Sequence, residues 1–302
     1  MTVIKKYRSY SGIVSNFVTL FRIICPQYTL ERHCSAKLKE KAYRNVYVSF
    51  FTPFTDSVRL MHPESEFIQY EDGVGSYCID DLENRFRSGI FKRINRFFMG
   101  GRLSYNIKKM YLNHPECYGG DMFETLEAIP KFNNVSDLEK IFDYKENDLY
   151  KKNKFIYLTQ PLTETKIGED AATIEKAILN TVNNSVLLRV HPRQKSENYS
   201  DFNIDYVRNL WELECAKQIN DSHILIGAFS TAQFTPKMLF DKEPTVIFTY
   251  KLYGDFFENT EKTIEKLRLM YKNIGKIIVV ENLEELKHLL AEFGDNKGNE
   301  QQ

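Results

Sequence analysis

Along the second half of the chain, apolar residues come in short unbroken runs. After each run they recur every three or four positions. The runs fall at 155–159 (Phe-Ile-Tyr-Leu-Thr), 185–190 (Ser-Val-Leu-Leu-Arg-Val), 223–228 (His-Ile-Leu-Ile-Gly-Ala), 244–249 and 276–280, and helical spacing occupies 169–182, 208–219, 231–240, 258–272 and 283–293. Unbroken apolar runs of this length suit strands covered on both faces, and strands alternating with helices predict βαβ units on a parallel sheet. The first half is less regular. It offers strands at 46–51 (Val-Tyr-Val-Ser-Phe-Phe) and 66–70 (Glu-Phe-Ile-Gln-Tyr), a basic helical stretch at 81–99, a region rich in turn signals at 100–135 and a short charged helix at 137–148. A solvated lysine-rich linker at 151–154 places a domain boundary near residue 150. The expected fold class is therefore α/β, with two Rossmann-like domains facing a central cleft, one over 1–150 and one over 151–302.

Composition narrows the class. The 302 residues are 42% hydrophobic and 27% charged, enough for a normal core and a normal surface. With 41 basic and 41 acidic residues the formal charge is zero, which speaks against a broad nucleic-acid footprint. Any anion must then be met by local groups. The 5 cysteines lack CxxC spacing and an accompanying histidine cluster, so they read as reduced thiols of a cytosolic protein and imply no metal site. The basic N-terminus lacks a long apolar segment behind it, which gives no support to a signal peptide or a spanning helix. Peripheral association with the inner face of a membrane, through the basic start and the aromatic content, stays open, as does a homodimer.

Three groups carry candidate chemistry. His191-Pro192 ends the 185–190 run, so an imidazole is delivered at a strand's carboxyl end, with Arg189, Arg193 and Lys195 close in sequence. An imidazole there can bind a phosphate and stabilise charge on a departing one. His62-Pro63 and His114-Pro115 follow no expected strand and are given no role. Ser230 and Thr231 fall where a strand meets a helix, suited to capping and to anion binding together. Glu71-Asp72-Gly73 follows the 66–70 strand, where open α/β sheets present ligand-binding groups; successive extended residues point to opposite sides, so one carboxylate faces a ligand as a general base. Gln160, after the 155–159 run, and Glu212, in Leu-Trp-Glu-Leu, are candidate ligand contacts, whereas Trp211 reads as core. Neither GxxxxGK[ST] nor GxGxxG occurs.

Glu71-Asp72-Gly73, Leu-Thr-Gln160-Pro161-Leu, Val190-His191-Pro192-Arg193 and Phe229-Ser230-Thr231, in this order, resemble bacterial sialyltransferases that share an acidic-acidic-glycine motif and a histidine-proline motif. The nearest likeness is to the lipooligosaccharide and capsule α-2,3-sialyltransferase family, over residues 45–290. The resemblance implies a metal-independent, inverting enzyme of GT-B-like fold with no cofactor. It would move sialic acid from the donor CMP-Neu5Ac to a galactose-type hydroxyl of a cell-surface glycan, in capsule or lipooligosaccharide biosynthesis. It assigns proton removal to Asp72 or Glu71 and assistance to CMP departure to His191. Gly73, Gln160, Pro192, Arg193, Glu212, Ser230 and Thr231 are assigned to substrate binding. The family begins with a strand-helix unit, and residues 1–45 show either a poor strand over 2–7 or an abbreviated start. Two alternatives stand beside it: a related transferase using another CMP-sugar or making polysialic acid, and a catalytically degenerate nucleotide-sugar-binding protein.

Overall fold

A computed structural model describes residues 43–49, 53–78, 108–120, 123–131, 134–164, 168–182, 185–257 and 260–295. The basic stretch 81–99 and the first 42 residues, including the expected early strand, lie outside them. The chain divides into two compact units, Met1–Ile129 and Pro130–Gln302.

The first unit carries a sheet of four parallel strands in sequential order: β1 (Asn45–Val48), β2 (Glu66–Tyr70), β3 (Lys109–Leu112) and β4 (Thr125–Ala128), with helix α1 (Pro53–Met61) between the first two. Pro53 opens α1 at the position where a missing N–H costs nothing. The core contains Val48, Val58, Phe67, Ile68, Met110 and Leu112, all buried. Both β3 and β4 fall inside the 100–135 stretch that the sequence marks as turns. β3 is only four residues long, and β4 leaves none of its residues buried, so neither shows the apolar run of a covered strand.

The second unit has five parallel strands: β5 (Phe155–Leu158), β6 (Leu187–Arg189), β7 (Ile224–Gly227), β8 (Thr245–Phe248) and β9 (Ile277–Val279). Their spatial order is β6-β5-β7-β8-β9. Every residue of β5, β7 and β8 is buried, because helices cover both faces. On one face, α3 (Gly168–Val182) and α7 (Leu283–Asp295) enclose a cluster that includes Tyr157, Ile178, Leu179, Leu188, Ile226 and Leu286. On the other face, α4 (Trp211–Lys217) closes over Tyr150, Ile156, Leu158, Leu187 and Leu225. Helices α2 (Val135–Ile141), α5 (Thr231–Phe240) and α6 (Thr260–Arg268) complete the unit.

The divide thus lies upstream of the boundary expected near 150. The cause is a buried acid: Glu214, fully enclosed in α4, accepts hydrogen bonds from Tyr144, Asn147 and Asn209 and from Gln218. Gln218 in turn takes the Tyr150 N–H at 3.0 Å. Residues 142–150 are stitched to the second unit by these bonds, and the expected helix over 137–148 stops at Ile141, with Asp143 left-handed at φ 49°.

Helix α5 contains Pro236, which cannot donate to the carbonyl of Ala232 one turn back. Trp211 Nε1 donates to that carbonyl at 2.8 Å. The indole therefore satisfies the acceptor left by the proline and ties the start of α4 to the start of α5.

Candidate functional site

The second sheet has the order 2-1-3-4-5 in its own numbering, and its direction of winding reverses between β5 and β7. Ligands of open α/β sheets bind outside the carboxyl ends of the strands at such a reversal. Here those ends carry Thr159-Gln160-Pro161 after β5, Val190-His191-Pro192 after the neighbouring β6, and Ala228-Phe229-Ser230-Thr231 after β7. Gln160 spans the crevice. Its Nε2 donates to the Phe229 carbonyl and its Oε1 accepts the Phe229 N–H at 2.8 Å. Its side-chain amide is thereby committed to bracing the two loops. Gly227 lets the loops approach, since a Cβ there would stand 3.0 Å from the Leu158 carbonyl oxygen and 3.3 Å from Gln233.

His191 is half-buried. Its backbone N–H donates to Thr159 Oγ1 at 2.8 Å, and its carbonyl accepts from Gln194 N at 2.8 Å, closing a turn around Pro192. Arg193 N donates to His191 Nδ1 at 3.1 Å. With Nδ1 an acceptor, the proton of the neutral ring sits on Nε2, which has no hydrogen-bond partner among the described residues. Burial holds the imidazole below its usual pKa, helped by the Arg193 charge and opposed by Glu164. The ring is thus a neutral donor at physiological pH.

Nearby cations divide sharply. Arg189, expected to add positive potential, instead pairs with buried Asp205 at 2.8 Å, bonds the Tyr150 hydroxyl and the Asn209 carbonyl, and lies 5.2 Å from the Trp211 ring. It is a structural cation. Arg193 is exposed and meets Glu164 at 3.1 Å, a pair loose enough to be exchanged for a ligand. Lys195 is exposed.

Ser230 is the N-cap of α5. Its Oγ accepts from Ala232 N at 3.3 Å, and its own N–H is taken by Gln233 Oε1 at 3.0 Å, a reciprocal capping box. Its hydroxyl proton is still available, since the cap uses only the oxygen lone pair. Thr231 begins the helix, whose positive end faces the same edge. Glu212, in the first turn of α4, is half-buried and accepts no hydrogen bond among the described residues; the Trp211–Ala232 bond keeps its helix start beside that of α5.

In the first unit the acidic pair separates. Glu71 accepts from Tyr77 Oη at 2.7 Å, from Asn113 N at 2.7 Å and from Asn113 Nδ2 at 3.0 Å, clamping the end of β2 to the end of β3. Asp72 is exposed, and its carboxylate accepts no hydrogen bond among the described residues; partial burial raises its pKa. Gly73 has φ 103°, a conformation that favours glycine, and the turn closes through Asp72 N to Ser76 Oγ at 2.9 Å. His114 does follow a strand, contrary to expectation, because β3 went unseen. It is buried, with Nδ1 2.9 Å from Glu116.

Fold and site together define an α/β unit with a parallel five-stranded sheet and a crevice at its switch point, beside a second unit with a parallel four-stranded sheet. No protein-family model matches the chain, and no curated protein matches its sequence. Among the described residues no three His, Cys, Asp or Glu side chains are grouped to hold a metal ion, and no helix is long and apolar enough to cross a membrane.

Proposed function

We propose that the protein is a glycosyltransferase of the sialyltransferase type, with GT-B-like organisation, moving sialic acid from CMP-Neu5Ac to a galactose-type hydroxyl with inversion. One observation carries the proposal: His191 Nε2–H, the start of α5 with the Ser230 hydroxyl, and Arg193 all belong to the switch-point edge of one sheet. These donors match a single phosphate, which is what CMP carries. As the glycosidic bond breaks, negative charge grows on the phosphate, and preorganised donors stabilise it without needing to reorient. A neutral imidazole whose Nε2–H is fixed by a bond to Nδ1 fits this task. Glu212 fits the ribose or cytosine end, as an acceptor for hydroxyl or amino protons. Asp72 is the carboxylate left for the acceptor's proton, because the Glu71 carboxylate is already occupied by three hydrogen bonds to Tyr77 and Asn113.

Incubation with CMP-Neu5Ac and a panel of galactosides, read by mass spectrometry, tests the reaction. The expected result is one sialyl residue added to a galactoside, with activity retained in EDTA. A strict requirement for Mn²⁺ or Mg²⁺, or no transfer to any galactoside while CMP-Kdo is used, would overturn the assignment.

A further inference from the structure

Beneath the switch-point edge lies an acid with no evident structural reason to be there. Glu175, in the middle of α3, is 9% exposed. Among the described residues no lysine, arginine or histidine pairs with it. The ionisable groups facing it are phenols: Tyr199 from the turn Ser196–Tyr199, Tyr157 from β5, and Tyr253 from the turn Tyr250–Phe257. A carboxylate enclosed this way, without a counter-ion, weakens the fold whenever it is ionised.

Its hydrogen bonds go to the segments that carry the candidate site. Tyr199 Oη donates to Glu175 Oε2 at 3.0 Å, and the Gln160 backbone N–H also bonds the carboxylate. The Tyr199 oxygen accepts from Gln194 Nε2 at 2.7 Å; Gln194 Oε1 accepts from Thr159 Oγ1 at 2.6 Å; and Thr159 Oγ1 accepts the His191 N–H. Gln160, held by Glu175 through its backbone, carries the brace to Phe229. One side chain inside the fold is therefore linked to the seat of His191 and to the loop that leads into α5.

We infer that Glu175 is a positioning residue for this edge, acting through Tyr199 and Gln160, and that its protonation state sets how firmly the loops after β5 and β6 are seated. The sign follows from linkage. Burial raises the carboxyl from 4.5 to about 6, so the closed arrangement binds the proton more tightly than any opened one in which water reaches Glu175. Seating is firmest below the ordinary carboxyl range and loosens as pH rises through about 6. At neutral pH the loops are closed but primed to open, which suits an edge that must admit and release a nucleotide.

That functional sense rests on the proposed donor site, and two separate measurements keep the claims apart. Amide hydrogen exchange, corrected for intrinsic rates, reads the seating without any ligand, at His191 and Phe229 with Leu225 in β7 as a control. In the wild-type protein, protection at His191 and Phe229 should fall by up to about fifteenfold between pH 4.5 and pH 8, the ratio set by the carboxyl shift. In Glu175→Gln, which keeps an uncharged group of the same shape, this pH response should vanish although the His191 imidazole still titrates. Tyr199→Phe should lower His191 protection at every pH and leave Leu225 unchanged. The inference is overturned if wild type and Glu175→Gln show the same pH response, or if Leu225 loses protection in step with His191. CMP titration is the second measurement: failure of the wild-type protein to bind CMP would remove the donor-site proposal while the exchange result still decides the role of Glu175.

Discussion

At the carboxyl end of β2, two acidic neighbours take different employment: Glu71 is saturated by Tyr77 and Asn113, while Asp72 stands exposed with its carboxylate available. At the carboxyl end of β6, two basic groups do the same, with Arg189 consumed by Asp205, Tyr150 and Asn209 and His191 presented with its Nε2–H aimed away from its Nδ1 contact. In each edge the structural member is half-buried among fixed donors or acceptors, and the available member sits on the turn one or two residues further on. Charge type alone does not separate a clamp from a reactive group. The supply of internal hydrogen-bond partners does.

Substitutions of the available members should give the largest effects, and on activity alone. His191→Ala should lower sialyl transfer by about 10²–10⁴-fold, the range for loss of a positioned acid or oxyanion donor, with an unchanged unfolding midpoint. Asp72→Asn should cause a comparable loss while CMP binding survives. Near-normal turnover in both variants would break the comparison at its functional end. Substitutions of the clamps should act on stability. Asp205→Ala strands the Arg189 charge in the core and should cost about 3–5 kcal/mol in denaturant unfolding. Glu71→Ala removes three hydrogen bonds to a half-exposed carboxylate and should cost about 1.5–3 kcal/mol, against little change for Asp72→Ala. Equal costs for Glu71→Ala and Asp72→Ala would erase the distinction between them. Ser230→Ala is the smallest case: loss of the cap should cost about 1 kcal/mol. A further loss in CMP affinity would show that the same hydroxyl donates to phosphate.

Much of the second unit could be read from the chain. Its five strands fall within the expected runs because two covered faces demand unbroken apolar residues, as in Ile224–Gly227. The start of α5 was also legible, since Ser230 is a strong cap, and Trp211 proved to be core; the helix expected over 208–219 begins only at Trp211, with Arg208 left-handed at φ 55°. Hidden were the features set by contacts distant in sequence. β3 (Lys109–Leu112) owes its place to pairing with β2 and β4, and four residues are too few to show a period. The position of the divide depends on Glu214, buried inside α4, which looks like any surface glutamate of an amphipathic helix. Gln160 was singled out as a ligand contact, yet its amide is spent on Phe229; only the closeness of the β5 and β7 ends at the switch point shows why. The employment of Arg189 was hidden for the same reason, because Asp205 reaches it from beyond the 190–204 loop.

The central claim is that the carboxyl edge of the second sheet holds a nucleotide monophosphate through His191 and the start of α5. Titration of the wild-type protein and His191→Ala with CMP, followed by amide chemical shifts, tests it most directly. The account predicts saturable shifts at Gln160, His191, Arg193, Ser230 and Thr231 in the wild-type protein and at least tenfold weaker binding in the variant. Absence of binding, or shifts that leave these residues unmoved, would contradict it.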